Sequence, residues 1–194
     1  MDKRKQRRRG RLQFILLAVI FLGPLALAMY LYYGVEDWRP PGQTNHGTLI
    51  EPVVVLPEVA VDTLSGGSTS AQVLRNHWTL LYANPEPCGE TCRQEIIKLR
   101  QVRLALGAEA DRVERVYLAG AEPPPAEWLE RTQTGLVSAA LDDNPALEAA
   151  LPSPGPAIYF VDPLGNLMMR FPADADPEDI KDDLKKLLKI SRIG

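Results

Sequence analysis

The chain holds two cysteines, and both fall in one run, Cys88-Gly89-Glu90-Thr91-Cys92. On a single helical turn, residues i and i+4 project to the same side with Cα atoms about 6 Å apart, inside the range a disulfide needs. Such a pair closes or opens with little backbone motion. At a helix N-terminus the unsatisfied N–H groups and the positive dipole end stabilise a thiolate, whereas Glu90 works against that shift. A thiolate is both a nucleophile and a soft-metal ligand. Cys88 and Cys92 therefore have three readings: thiol–disulfide exchange, Cu(I) binding, or an inert structural bridge. A bridge that closes so short a loop contributes little, because its stabilisation grows with loop length.

A copper site of this kind wants a third donor, and candidates are few. The two histidines are His46 and His77. His77 precedes the strand whose far end leads to Cys88, so it belongs at the opposite end and reads as a core or surface histidine. His46 reaches the cysteines only if the segment carrying it folds back over the domain. Met168 and Met169 are soft donors, but adjacent residues alternate across a strand, so at most one faces the site and core packing explains them better.

The elements that must position the cysteines follow from local pattern. Trp78 to Ala83 is a short apolar run ended by Asn84-Pro85-Glu86-Pro87, which predicts a buried strand. A helix follows from Cys88 or Gly89 to Leu106, with Cys92, Ile96, Leu99 and Val102 on one face and Gly107 as its stop. Val113 to Ala119 is a second strand, and Pro123-Pro124-Pro125 opens a short helix over 126–132. A weaker strand at 135–141 and a helical turn at 144–151 come next. Ala157 to Val161 and Asn166 to Phe171 flank Asp162-Pro163-Leu164-Gly165 as a hairpin. The final helix has Asp176 as cap, Pro177 at its first position, and a stripe of Ile180, Leu184, Leu187 and Leu188. A βαβ unit joined to a ββα unit makes a four-stranded mixed sheet flanked by helices, the α/β thioredoxin-like arrangement.

Charge and hydropathy place this domain beyond a membrane. Of 22 basic and 25 acidic residues, seven bases and one acid lie in Met1 to Arg11, leaving 15 bases against 24 acids for the remainder. An acidic remainder argues against nucleic acid as a partner. Leu12 to Tyr33 is apolar and uncharged, and as a helix spans roughly 33 Å, enough for a bilayer core of about 30 Å. Tyr30, Tyr32, Tyr33 and Trp38 form an aromatic belt at its far end, and Pro24 is tolerated in such a helix. The run is longer than a signal-peptide core, which favours an uncleaved anchor. The basic tail stays cytoplasmic, so the rest faces the bacterial periplasm. The expected division is a basic tail at 1–11, a transmembrane helix at 12–33, a Pro- and Gly-rich linker with an edge strand at 34–71, and the thioredoxin-like domain at 72–194.

The whole plan resembles the Sco/SenC family of membrane-anchored, thioredoxin-like cytochrome c oxidase assembly proteins, through the anchor, the Cys88/Cys92 pair and the Asp162-Pro163-x-Gly165 turn. It is also similar to a shorter Sco-like subgroup, through Asn45-His46-Gly47-x-Leu49-Ile50-x-Pro52, the run Arg100 to Gly107, Arg112 to Val116, and Asp162 to Met168. The resemblance implies a role at the oxidase copper centre, with subunit II or another assembly factor as partner. It also implies a cis-proline at Pro156. In the family a histidine shortly before the late strand completes the copper site, and that place falls within Ser153 to Pro156, where no histidine stands. Cys88 and Cys92 carry over, as a redox couple or a Cu(I) site, and the third ligand does not. Cys88 is expected to be the attacking thiol and Cys92 the resolving one. Two other readings stand beside this: an assembly scaffold with an inert Cys pair, and a peroxiredoxin-like reductase, for which the surroundings of Cys88 lack the peroxidatic pattern.

Overall fold

The computed structural model describes residues 3–34, 44–64, 66, 68–69 and 72–191. It has two compact units, residues 1–44 and 45–194. The first is helix α1, Lys3–Gly34, with Pro24 inside it. Its stretch Arg11–Tyr30 is long and apolar enough to cross a membrane, and side chains such as Leu12, Phe14, Phe21 and Tyr30 stand exposed along it, as a lipid-facing helix requires. Trp38 of the expected aromatic belt lies outside the described residues, as do the side chains of Tyr32 and Tyr33.

The second unit is one six-stranded mixed sheet, not four-stranded, ordered β1-β6-β5-β2-β3-β4. Its strands are β1 (Thr48–Val55), β2 (Trp78–Asn84), β3 (Val113–Ala119), β4 (Leu136–Ala140), β5 (Ala157–Val161) and β6 (Asn166–Pro172). Helices α2 (Glu90–Ala105), α3 (Ala126–Thr132) and α4 (Pro145–Ala150) follow β2, β3 and β4, and α5 (Pro177–Ile190) follows β6. β2, β3 and β4 run parallel, while β5, β6 and β1 add antiparallel partners in turn. Alternation along the central strands splits the core in two. Leu80, Tyr82, Tyr117, Ile158 and Phe160 face α2 and α5; Leu81, Ala83, Val116, Leu118 and Tyr159 pack on the other side, as period-two geometry demands.

The segment expected as a linker is largely part of this fold. From Asn45 the chain belongs to the compact unit; β1 pairs with β6, and Leu56 and Val61 are buried. Its prolines mislead as linker signals because an edge strand tolerates residues that cannot donate. The cis peptide also falls here, at Glu51–Pro52. Pro156, where a cis bond was expected, is trans.

The remaining elements lie close to their sequence boundaries. α5 begins as read, with the Asp176 carboxylate accepting from the Glu178 N–H at 2.8 Å. Its buried stripe is Ile180, Asp183, Leu184 and Leu188, with Leu187 half-buried. In the late hairpin the register shifts between Phe160 and Val161. That bulge breaks the expected alternation of Met168 and Met169: Met169 is buried, and half-buried Met168 packs against the same core.

Candidate functional site

The site grows out of the exit of β2, whose seven residues are all buried. Pro85 ends the strand, since it has no N–H for the ladder. The Asn84 side chain then shapes the turn, donating to the Glu86 carbonyl at 3.0 Å and accepting from the Glu86 N–H at 3.3 Å. Two further ties seat the loop against the exit of β3: Gly120 donates to the Asn84 carbonyl and Cys88 to the Glu122 carbonyl, both at 2.8 Å. Gly120 is required for this approach, because a Cβ there would overlap the Pro85 carbonyl.

Cys88 and Cys92 form a disulfide with Cα atoms 5.1 Å apart. The pair does not share one helical turn as the spacing suggested. Gly89 is the N-cap and α2 begins at Glu90, so Cys88 stands on the loop ahead of the helix and Cys92 on its first turn. That difference gives the sulfurs unlike surroundings. Cys88 is half-buried at the surface, while Cys92 is only 5% exposed and packs in the core. Gly89 supplies no side-chain cap, so the first-turn N–H groups and the dipole end remain to favour negative charge on a reduced sulfur.

Beneath the disulfide lies a polar layer that sequence reading did not find. The Tyr117 Oη sits 3.4 Å from Cys92 Sγ, and its ring stacks on Tyr82 with centroids 5.6 Å apart. Burial pushes the Tyr117 phenol up to about 12, with a hydrogen bond from Asn84 pulling the other way. One turn along α2 from Cys92, buried Glu95 pairs with Lys98 at 2.7 Å, and Lys98 also donates to the carbonyls of Ala173 and Ala175 at 2.9 Å. The available clue for Tyr117 was the one phenol of its strand, at the parity that faces α2.

Neither histidine weighed as a third donor reaches the cysteines. His77 lies at the opposite end of β2, with Nε2 3.9 Å from Glu114. The segment carrying His46 does fold back, but onto α5, where His46 Nδ1 is 3.0 Å from Asp179. It adjoins β1, three strands from β2, or about 14 Å at the usual strand spacing. Among the described residues no group of three or more His, Cys, Asp or Glu could hold a metal ion. Once reduced, the two sulfurs are soft donors that suit Cu(I) as well as thiol–disulfide exchange.

A parallel–antiparallel sheet with a cysteine pair between its central strand and the following helix defines a thioredoxin-like domain. The chain belongs to the family described as transmembrane-like, thioredoxin-like, C-terminal domain, whose model matches residues 78–191; the companion transmembrane-like N-terminal domain matches residues 4–35. No curated protein matches the chain. Among solved structures it is similar to copper-bound ScoI of Bradyrhizobium japonicum, at 19% identity over 69% of this chain and 98% of that one, with a TM-score of 0.52. It is similar to apo Sco1 of Thermus thermophilus at 16% identity, over 76% of this chain and 99% of that one, TM-score 0.58. A DsbF homologue of Corynebacterium diphtheriae matches at 16% identity, over 78% and 98% of the two chains, TM-score 0.55. At such identities these likenesses show the shared fold.

Proposed function

We propose that this protein is a membrane-anchored thiol–disulfide exchange factor that keeps the copper-centre cysteines of cytochrome c oxidase reduced during assembly. The observation that carries the reading is the disulfide itself, with one sulfur at the surface and the other sealed against the core. In the reduced protein the Cys88 thiolate attacks a target disulfide and forms a mixed disulfide. Cys92 then attacks Cys88 Sγ, which releases the reduced target and leaves the Cys88–Cys92 bond closed. An external dithiol donor resets the pair. The oxidase as target and subunit II or another assembly factor as partner come from the sequence resemblance. The basic residues ahead of Arg11–Tyr30 support a cytoplasmic N-terminus, with the domain in the periplasm of the bacterial inner membrane.

The test is trapping. A Cys92→Ser variant accumulates a mixed disulfide with an oxidised peptide carrying the subunit II cysteine pair, visible by intact mass and released by dithiothreitol. Trapping only in Cys88→Ser would reverse the two roles. If a Cys88→Ser, Cys92→Ser double variant restores oxidase activity in a deletion strain, the protein is a scaffold. Thiol-dependent Cu(I) binding in competition with a strong chelator would replace exchange by metal transfer.

A further inference from the structure

In the oxidised protein neither cysteine carries a hydrogen, so in the 3.4 Å contact between Tyr117 Oη and Cys92 Sγ the phenol is the donor. We propose that Tyr117 is a catalytic residue, whose hydroxyl holds the departing Cys92 sulfur when the disulfide is opened and so fixes which sulfur leaves and how readily the pair is reduced. The inference rests on the exchange reading above.

An incoming thiolate reaches only Cys88, because Cys92 is sealed. As the new bond to Cys88 Sγ forms, the Cys88–Cys92 bond breaks and its electron pair passes to Cys92 Sγ, which becomes a thiolate buried in the core beside the Tyr117 hydroxyl. A buried unpaired anion there is costly, and a hydrogen bond to a charged group is worth more than one to a neutral group. The Tyr117 O–H is already aimed at that sulfur, so the interaction strengthens as charge develops and needs no rearrangement. No proton is transferred. Burial keeps the phenol protonated across the physiological range, so the donor is always present. In the closing direction the same bond releases the thiolate to attack Cys88 Sγ, and the target leaves with the electron pair.

The experiment compares wild type with Tyr117→Phe, which keeps the ring and removes the hydroxyl. Reduction of the full chain by dithiothreitol is expected to slow about tenfold, and the dithiol–disulfide equilibrium to shift about tenfold toward the disulfide, equivalent to about 30 mV. Tyr159→Phe, which removes a buried phenol on the opposite face of the sheet, is expected to reduce like wild type. Equal rate and potential in a folded Tyr117→Phe protein would overturn the proposal. A second measurement needs no variant: the Tyr117 Cζ resonance of ¹³C-labelled wild type is expected to move on reduction, and an unchanged resonance would sink the idea. If dithiothreitol fails to open the wild-type disulfide, the exchange reading itself falls, which is a different result from equal rates.

Discussion

Two loops meet the same end of the sheet, and each carries a motif with a residue type suited to ligation. On the central strand, the loop leaving β2 presents Cys88 as a side chain. At the edge, the loop entering β1 presents His46, yet what matters there is the backbone. The carboxylate of Asp183, 1% exposed on α5, accepts the N–H groups of His46 at 2.6 Å and Gly47 at 2.9 Å, and pairs with Lys186 at 2.9 Å. Gly47 lies so close to Met169 and Phe171 that a Cβ would meet both within 2.7 Å. One loop carries a disulfide and the other a clasp.

The comparison can be broken most directly at the clasp. Asp183→Ala strands the buried Gly47 N–H and the part-buried His46 N–H and is expected to cost about 2 kcal/mol in urea unfolding, while the dithiothreitol reduction rate stays within about twofold of wild type. A changed reduction rate at retained fold would mean the two loops are coupled. Gly47→Ala should cost about 2 kcal/mol by pushing aside the Met169 and Phe171 side chains, read from the same unfolding curves. Opening the disulfide should lower stability by no more than about 2 kcal/mol, because the loop it closes is so short, and calorimetry with and without reductant measures this. The smallest effect belongs to the histidine. His46 and Asp179 are 47% and 45% exposed, so His46→Ala is expected to change stability by less than about 1 kcal/mol, and a larger loss would give the imidazole a role denied to it here.

Alkaline pH tests the layer under the cysteines. Burial raises the phenols of Tyr82, Tyr117 and Tyr159 above the ordinary value of 10. The folded protein therefore keeps protons that the unfolded chain surrenders, so this contribution is whole below pH 10 and is lost as pH rises through about 12. Tyrosinate absorbance followed alongside unfolding should show the two together.

The central elements were legible because burial and period agree there: β2, β3, β5 and α5 are short runs with unambiguous apolar faces. Cys88 and Cys92 were legible for the same reason, being the only thiols and placed at a strand-to-helix junction. What escaped depends on contacts distant in sequence. The edge strand β1 was anticipated inside a linker, but its prolines hid that it belongs to the domain, which only its pairing with β6 shows. Tyr117 belongs to the site through a sulfur 25 positions earlier, a juxtaposition that the parallel pairing of β2 and β3 creates. Asp183 falls by spacing within the apolar stripe of α5, and its reason, the N–H groups of the loop before β1, is a contact distant in sequence.

Gly120 carries a consequence for anyone redesigning the redox motif. The berth of the cysteine loop is carved by missing atoms just past the end of a neighbouring strand, so shortening or lengthening the spacer between the sulfurs will succeed only while that emptiness is preserved. Bulk introduced there would act as a remote dial on sulfur reactivity, with both cysteines left untouched.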